Sequence, residues 1–200
     1  RMTRLVTDLL SLSRIETAEH TAPNEEVVVL RPLAEHLAAA AELTAARRGI
    51  RIELDIDADL PALIANSDQI SQVLQNLLEN AIKYGRDQSV VTIRAEIASE
   101  LPASVTLQSE DLVAISVTDQ GEGIPREHIP RLTERFYRVD TARSRELGGT
   151  GLGLAIVKHI VSRHRGALTI DSKVGVGSRF TVYIPCVAPG VTKSQLFAAG

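Results

Sequence analysis

Apolar residues at steps of three and four mark the opening segment, residues 2–15. This spacing predicts an amphipathic helix of the kind found in bundles and coiled coils. Because one such helix cannot bury its own apolar stripe, we expect a partner helix upstream and interpret the chain as a fragment. The polar residues 18–26 predict a linker, and the short β-branched run at 27–30 predicts an edge strand.

The remaining pattern alternates between the periods of helices and strands. Helical spacing covers residues 33–46, 67–84 and 151–164. Strand patterns cover residues 50–56, 90–97, 112–118, 167–171 and 179–184. This order predicts a two-layer α/β sandwich with a mixed sheet and helices on one face. Ser67 or Asp68 is the predicted cap of the second helix, and Gly85 is its predicted end.

Composition narrows the classes of function. The 25 acidic and 22 basic side chains leave a net charge of −3, so no overall positive field favours nucleic acid. Aromatic residues make up 3% of the chain, too few for a base-stacking platform. No apolar run is long enough to span a bilayer, and the lone Cys186 cannot form an internal disulfide. We therefore expect a cytoplasmic chain that contacts neither nucleic acid nor membrane.

Glycines concentrate where backbone groups can approach a ligand. Nine of the 13 lie between Gly121 and Gly177, and residues 148–153 lead directly into the third predicted helix. The exposed N–H groups of such a helix start can cradle phosphate. Neither the P-loop pattern nor the dinucleotide-binding pattern fits, because Ile156 occupies the place of the latter's third glycine. A glycine loop without a ligand is the alternative.

The second predicted helix carries a narrow polar stripe of Gln72, Asn76, Asn80 and Lys83. Two asparagines within a helix cost roughly 1 kcal/mol relative to alanine, which suggests that they have a function. An amide oxygen can bind Mg²⁺, and a lysine one turn further can neutralise phosphate charge. An ordinary solvated helix face is the alternative.

Asp119 follows a predicted strand and stands beside Gly121 and Gly123. An ionised carboxylate only accepts hydrogen bonds, so it selects the amine edge of adenine over guanine. A charged hydrogen bond of about 1.5–3 kcal/mol corresponds to roughly ten- to hundredfold discrimination. A simple Asx turn is the alternative. The connection of about thirty residues that follows is typical of a lid, and among its arginines we single out Arg138 as a phosphate contact.

Together these motifs resemble the N, G1, F and G2 boxes of sensor histidine kinases, with a further glycine box near the end. They are residues 76–84 (NLLENAIKY), 119–124 (DQGEGI), 134–140 (ERFYRVD), 148–154 (GGTGLGL) and 175–178 (GVGS). The resemblance implies the Bergerat (GHKL) ATP-binding fold, which gyrase, heat-shock chaperones and MutL share. The opening helix is similar to the second dimerisation helix of these kinases, particularly of the phosphate-sensing PhoR type. The predicted domains are therefore 1–20 (dimerisation helix), 21–186 (catalytic and ATP-binding domain) and 187–200 (tail).

The resemblance also implies a reaction and its partners. The domain would bind ATP and Mg²⁺ and transfer the γ-phosphoryl group to a histidine, from which a response regulator receiver domain would take it. The parent protein would be a homodimer, and whether the bacterial inner membrane anchors it stays open. The family's acceptor histidine lies in a His-Glu-x-Arg-Thr-Pro-like box, which surrounds none of the five histidines here. We therefore expect that the chain cannot phosphorylate itself.

Residue roles carry over from the matching positions. Asp119 would bind the adenine amine, Asn80 would be the Mg²⁺ ligand, and Tyr84 would line the pocket. The candidate catalytic residues are Asn76, Lys83 and Arg138. The candidate nucleotide-binding residues are Asn76, Asn80, Lys83, Tyr84, Asp119, Gly121, Gly123, Ile124, Phe136, Gly149, Thr150, Gly151, Leu152, Gly153 and Ser178.

Asn76 separates a kinase from a hydrolase. The related ATPases have a glutamate at this position, which activates water as a general base. An amide cannot accept a proton at neutral pH, so attack by water is poorly assisted and the kinase interpretation is favoured. A GHKL-type ATPase and a non-catalytic nucleotide-binding module are the alternatives.

Overall fold

A computed structural model describes residues 25–102, 105, 107, 111–139 and 149–187, together with the helical residues 6, 9, 10 and 13. The helices of the main body are α1 (Leu30–Ala46), α2 (Ser67–Tyr84), α3 (Gly153–Arg163) and a 3₁₀ helix (Arg126–Arg131). The strands are β1 (Glu26–Val28), β2 (Arg51–Ile56), β3 (Leu63–Ala65), β4 (Val90–Ile97), β5 (Leu112–Asp119), β6 (Ala167–Lys173) and β7 (Gly177–Pro185).

Five strands form one mixed sheet in the order β2-β4-β5-β7-β6. The pair β2–β4 is parallel and the other pairs are antiparallel. A small second sheet pairs β1 with β3. The α-helices pack on one face of the main sheet, where their apolar stripes and the inward side chains of the strands form a single core. The predicted two-layer α/β sandwich with a mixed sheet is confirmed.

The boundaries of α1 and β1 differ from the predicted ones. Helix α1 begins at Leu30, three residues before the predicted start. The helix can include Pro32 because this proline lies in the first turn, where backbone N–H groups have no intrahelical acceptor. The predicted edge strand at 27–30 is therefore shortened to Glu26–Val28.

Two short elements were not predicted. Strand β3 has three residues, too few to show alternation, and the 3₁₀ helix at Arg126–Arg131 lies within the predicted lid. The predicted cap of α2 is also wrong. Asn66, one residue earlier, is the N-cap, and its side-chain oxygen accepts a hydrogen bond of 3.0 Å from the Gln69 N–H.

The two ends of the chain are described only in part. Residues 6, 9, 10 and 13 are helical, in agreement with the predicted opening helix. Val187, assigned to a tail with little to pack, is instead 5% exposed, and its N–H donates to the Ala62 carbonyl at 2.9 Å. Val187 is buried because Cys186, just before it, pairs with Leu63 and so places the residues after β7 against β3. Residues 188–200 lie outside the described part.

His164 joins the end of α3 to the start of α2. Its ring is fully buried, with Nε2 3.0 Å from the Asn66 N–H and Nδ1 2.9 Å from the Ile160 carbonyl. The N–H can only donate and the carbonyl can only accept, so the ring is neutral with its proton on Nδ1. Burial lowers the pKa of His164, and the Ile160 hydrogen bond opposes this effect.

We expect His164 to make folding stability depend on pH. Because its pKa is lowered in the folded state, its contribution is complete above the ordinary value of 6.5 and is lost as pH falls below that value. Protonation sets an Nε2–H against the Asn66 N–H, at a cost of about 1–3 kcal/mol for the unmet buried donor. Urea unfolding at pH 7.5 and 5 should show this loss in the wild type and a smaller loss in His164→Gln. The exposed His36→Gln variant is the control, and an equal loss in all three proteins would contradict the assignment.

Candidate nucleotide-binding site

Asp119 is the last residue of β5, and its side chain is buried. Its Oδ1 accepts a hydrogen bond of 2.7 Å from the Gly121 N–H, so the Asx turn considered as an alternative is present. Burial raises the pKa of Asp119, while hydrogen bonds from the backbone of Gly121 and Ser178 act in the opposite direction. A carboxylate has about four acceptor positions, so the turn leaves capacity for a ligand.

Glycines let the turn after Asp119 fit between two neighbours. A Cβ on Gly121 would lie 2.4 Å from the Tyr84 carbonyl oxygen at the end of α2. A Cβ on Gly123, which has φ +72°, would lie 2.1 Å from the Lys173 carbonyl oxygen in the β6–β7 hairpin. The Asp119 turn is thereby set directly against the C-terminal end of α2.

Serine hydroxyls hold the other side of this turn. The Ser172 hydroxyl accepts a hydrogen bond of 2.8 Å from the Ile124 N–H and lies 2.9 Å from the Ser178 hydroxyl. It also donates to the Gly177 carbonyl at 3.0 Å. Ser178 therefore supports Asp119 through its backbone, while its hydroxyl contacts Ser172. Ser172 was not predicted as a site residue, and its only signal in the sequence is its place on a strand beside the last glycine box.

At the opposite end, helix α3 starts against α2. A Cβ on Gly153 would lie 3.0 Å from the Asn76 Oδ1, so this glycine allows close contact between the helices. Asn76 uses its amide nitrogen internally, donating to the Gln72 carbonyl at 2.9 Å. Among the described residues no side chain caps the start of α3, so its first N–H groups can meet an anion. The helix begins two residues later than predicted, because Gly151 and Leu152 belong to the preceding loop.

The described part of the predicted lid is tied to this loop. The Phe136 N–H donates to the Gly151 carbonyl at 2.9 Å, and Gly151 has φ +74°. Phe136 itself has φ +63° and is 57% exposed. A left-handed conformation at a large non-glycine residue costs about 1–3 kcal/mol and is typical of functional segments.

Arg138, two residues further, carries buried polar atoms. Its Nε and Nη2 are buried and have no hydrogen-bond partner among the described residues. A guanidinium keeps its charge at any pH relevant to proteins, and burying unpaired charge is costly. The Nε and Nη2 donors of Arg138 could therefore bind an anion. The glycine loop before α3 also fits phosphate groups, so a triphosphate would suit both.

Helix α2 joins the two ends of the site. Asn76 of its polar stripe lies at the α3 end, and Tyr84, its last residue, lies at the Asp119 end, about 12 Å away along the axis. Asn80 lies between them and is half-buried. The Lys83 ammonium lies 4.7 Å from the centre of the Tyr84 ring. This arrangement fits an elongated ligand with a purine at one end and phosphates at the other.

The described residues contain no group of three or more His, Cys, Asp or Glu side chains that could hold a metal. Asn80 offers a single hard oxygen ligand. Mg²⁺ is commonly held by few protein ligands together with waters and substrate phosphates, so this donor set fits a metal that arrives with a nucleotide.

Comparison with known proteins identifies the class. Residues 65–188 match the family of histidine kinase-, DNA gyrase B- and HSP90-like ATPases. The match covers more than half of the chain, and the chain belongs to this family. ATP binding is the property that this family description assigns to the domain.

Several of the similar curated proteins are sensor histidine kinases, and the chain is similar to part of each of them. It is 40% identical over 183 residues to the phosphate regulon sensor protein PhoR of Pseudomonas aeruginosa, covering 92% of the chain and 38% of PhoR. It is 38% identical over 185 residues to WalK of Bacillus subtilis, covering 92% of the chain and 28% of WalK. The chain thus spans less than half of these relatives. Because this chain is almost equally identical to PhoR and to WalK, its assignment to the PhoR type stays a prediction.

Solved structures agree with the fold. Full-length ShkA in complex with AMPPNP aligns with a TM-score of 0.75 at 27% identity, covering 94% of this chain and 37% of ShkA. AdeS of Acinetobacter baumannii aligns with a TM-score of 0.70 at 26% identity, covering 92% of this chain and 78% of AdeS.

Among the described residues, no helix combines the length and apolarity needed to cross a bilayer.

The predicted resemblance and fold are therefore confirmed, whereas the individual residue roles and the domain boundaries stay predictions. Asp140 of the F box and Gly148 of the G2 box lie outside the described part of the chain.

Proposed function

We propose that the chain binds Mg·ATP and transfers its γ-phosphoryl group to a histidine outside this chain, from which a response regulator receiver domain takes it. The observation that carries the proposal is that helix α2 joins two binding features. Buried Asp119 lies at its C-terminal end, and the uncapped start of α3 lies against Asn76. The AMPPNP complex of ShkA supports the ligand assignment. From the resemblance to sensor histidine kinases we further propose that the parent protein is a homodimeric kinase with this domain in the cytoplasm.

The site residues divide the work of binding and transfer. Asp119 accepts a hydrogen bond from the adenine amine, and Tyr84 lines the pocket. Asn80 is the protein ligand of Mg²⁺, which neutralises phosphate charge when it is bound. Lys83 and Arg138 contact the phosphates together with the backbone at the start of α3.

Positioning and charge neutralisation dominate this type of transfer. The bond between the γ-phosphorus and the bridging oxygen breaks, ADP leaves with the electron pair, and a bond to an imidazole nitrogen forms. Asn76 cannot take a proton from water, so bound ATP survives until the imidazole arrives.

Labelled ATP tests this proposal. The chain alone is expected to remain unlabelled, because none of its histidines has the acceptor context. Mixed with a helical hairpin that carries the His-Glu-x-Arg-Thr-Pro-like box, it should label that histidine when Mg²⁺ is present. Asn80→Ala should lose the labelling and the Mg²⁺-dependent part of ATP affinity in calorimetry. The exposed Gln75→Ala on the same helix is the matched control.

The outcomes separate the alternatives. Phosphate release without the hairpin would favour an ATPase of the same fold. ATP binding without labelling of the hairpin would favour a non-catalytic nucleotide-binding module. Stable label on a histidine of this chain would contradict the assignment of the acceptor to another segment.

A further inference from the structure

Arg48, just after α1, holds the C-terminal end of α2. Its guanidinium donates to three carbonyl oxygens there: Ile82, Lys83 at 3.0 Å and Gly85 at 2.9 Å. Its Nε–H donates to the Asp87 Oδ1 at 2.8 Å, and Nη2 lies 2.7 Å from the same oxygen. No sequence motif marks this arginine, which lies some 35 residues before the helix end that it contacts.

The three carbonyls are groups that a helix end cannot satisfy internally. The last turn of an α-helix leaves carbonyls without intrahelical partners and carries the negative end of the helix dipole. In this protein the same turn carries Lys83, proposed to reach the phosphates, and Tyr84, proposed to line the pocket. A cation on the carbonyls offsets that negative potential.

The contacts also set the position of the helix end. Arg48 binds the carbonyls on either side of Tyr84, while the Tyr84 carbonyl lies against Gly121 in the turn after Asp119. A shift of this last turn would move Lys83, Tyr84 and the wall of the Asp119 turn together. Such shifts matter because binding groups must hold their geometry closely to be effective.

We propose that Arg48 is a positioning residue for nucleotide binding, acting through the end of α2 without touching the ligand. The inference rests on the proposed function, because it requires Lys83 and Tyr84 to face the nucleotide. The exposed ion pair with Asp87 is secondary: Asp87 is 70% exposed, and exposed pairs contribute little. The three carbonyl contacts are therefore the interactions that matter.

The test compares four variants with the wild type by ATP calorimetry, at a temperature where thermal melts show every protein to be folded. Arg48→Met should weaken ATP binding about three- to tenfold, the scale of one ordinary hydrogen bond, because Arg48 acts on the ligand only through the helix end. Arg48→Lys keeps the cation and should restore part of the affinity. Arg47→Met removes an exposed neighbouring charge, and Asp87→Asn removes only the ion pair, so both should bind ATP like the wild type.

A merely structural role predicts another pattern. Arg48→Met would then lower the melting temperature but leave the ATP dissociation constant of the folded protein unchanged, and this result would overturn the proposal. An equal loss of affinity in Arg47→Met would also overturn it, since general charge would then explain the effect. If the wild type itself binds no ATP, the proposed function fails, and Arg48 has no nucleotide to position.

Discussion

Asp119→Asn is expected to weaken ATP binding by about ten- to hundredfold, because an amide replaces the charged acceptor of the adenine amine. The preference for ATP over GTP should fall as well. Guanine presents a carbonyl oxygen where adenine presents its amine, so the carboxylate opposes guanine and the amide can donate to it. Calorimetric titration with ATP, GTP and adenosine measures both effects, and unchanged ATP affinity would contradict the role of Asp119.

The raised pKa of Asp119 adds a pH signature to this variant. As pH falls towards that pKa, the carboxylate takes up a proton and wild-type affinity for adenosine should fall, whereas Asp119→Asn should not follow this curve. The stability effect has the opposite sign. A carboxyl group whose pKa is raised by folding destabilises the folded protein above that pKa, so Asp119→Asn should unfold at the same or a higher temperature at pH 7.5.

The exposed Asp171→Asn variant is the control for these measurements. It also removes one negative charge, but from an exposed side chain on β6. It should retain wild-type affinity and selectivity. A loss of binding in both variants would point to net charge as the cause, and not to recognition of the base.

Arg138→Met is expected to weaken ATP binding about tenfold or more and to leave the melting temperature of the ligand-free protein unchanged or higher. In the ligand-free protein its buried Nε and Nη2 have no hydrogen-bond partner among the described residues, so removing these atoms breaks no hydrogen bond to those residues. In the ATP complex, the same atoms would make charge-assisted hydrogen bonds to phosphate oxygens. Arg138→Lys should recover only part of the affinity, because lysine lacks the planar donor pair.

Adenosine distinguishes this variant from Asp119→Asn. Without phosphates the ligand should bind equally well to the wild type and to Arg138→Met, whereas Asp119→Asn should weaken adenosine and ATP alike. Arg126→Met removes an exposed charge from the same connection and should bind ATP like the wild type. If Arg138→Met lowers stability and leaves ATP affinity intact, Arg138 is a packing residue of the lid.

Stability and function therefore diverge at both ends of the site. A buried carboxyl with a raised pKa and two buried guanidinium nitrogens without a partner among the described residues are each unfavourable for the ligand-free fold. Such conflicts between folding and local chemistry are expected where a protein binds a ligand, since the ligand supplies the missing partner.

Local pattern alone was enough for most of the architecture. The period of apolar residues predicted the long helices and the strands of the main sheet, with β4 at the same bounds, because burying one face imposes that period on the chain. The glycine-flanked Asp119 and the asparagine stripe of α2 were recognisable for a similar reason. Their residue types are costly or uncommon in those local structures unless they serve a purpose.

Contacts between distant segments were decided only by the tertiary structure. The ring of His164 holds the backbone N–H of Asn66, and Ser172 and Arg48 support the site from separate elements. No local pattern encodes these partners, because each depends on which segments the folded sheet and helices bring together. The amino-acid sequence by itself determined the repeating elements and the chemistry available to the site, and the packing of those elements determined which groups are buried, paired or left for a ligand.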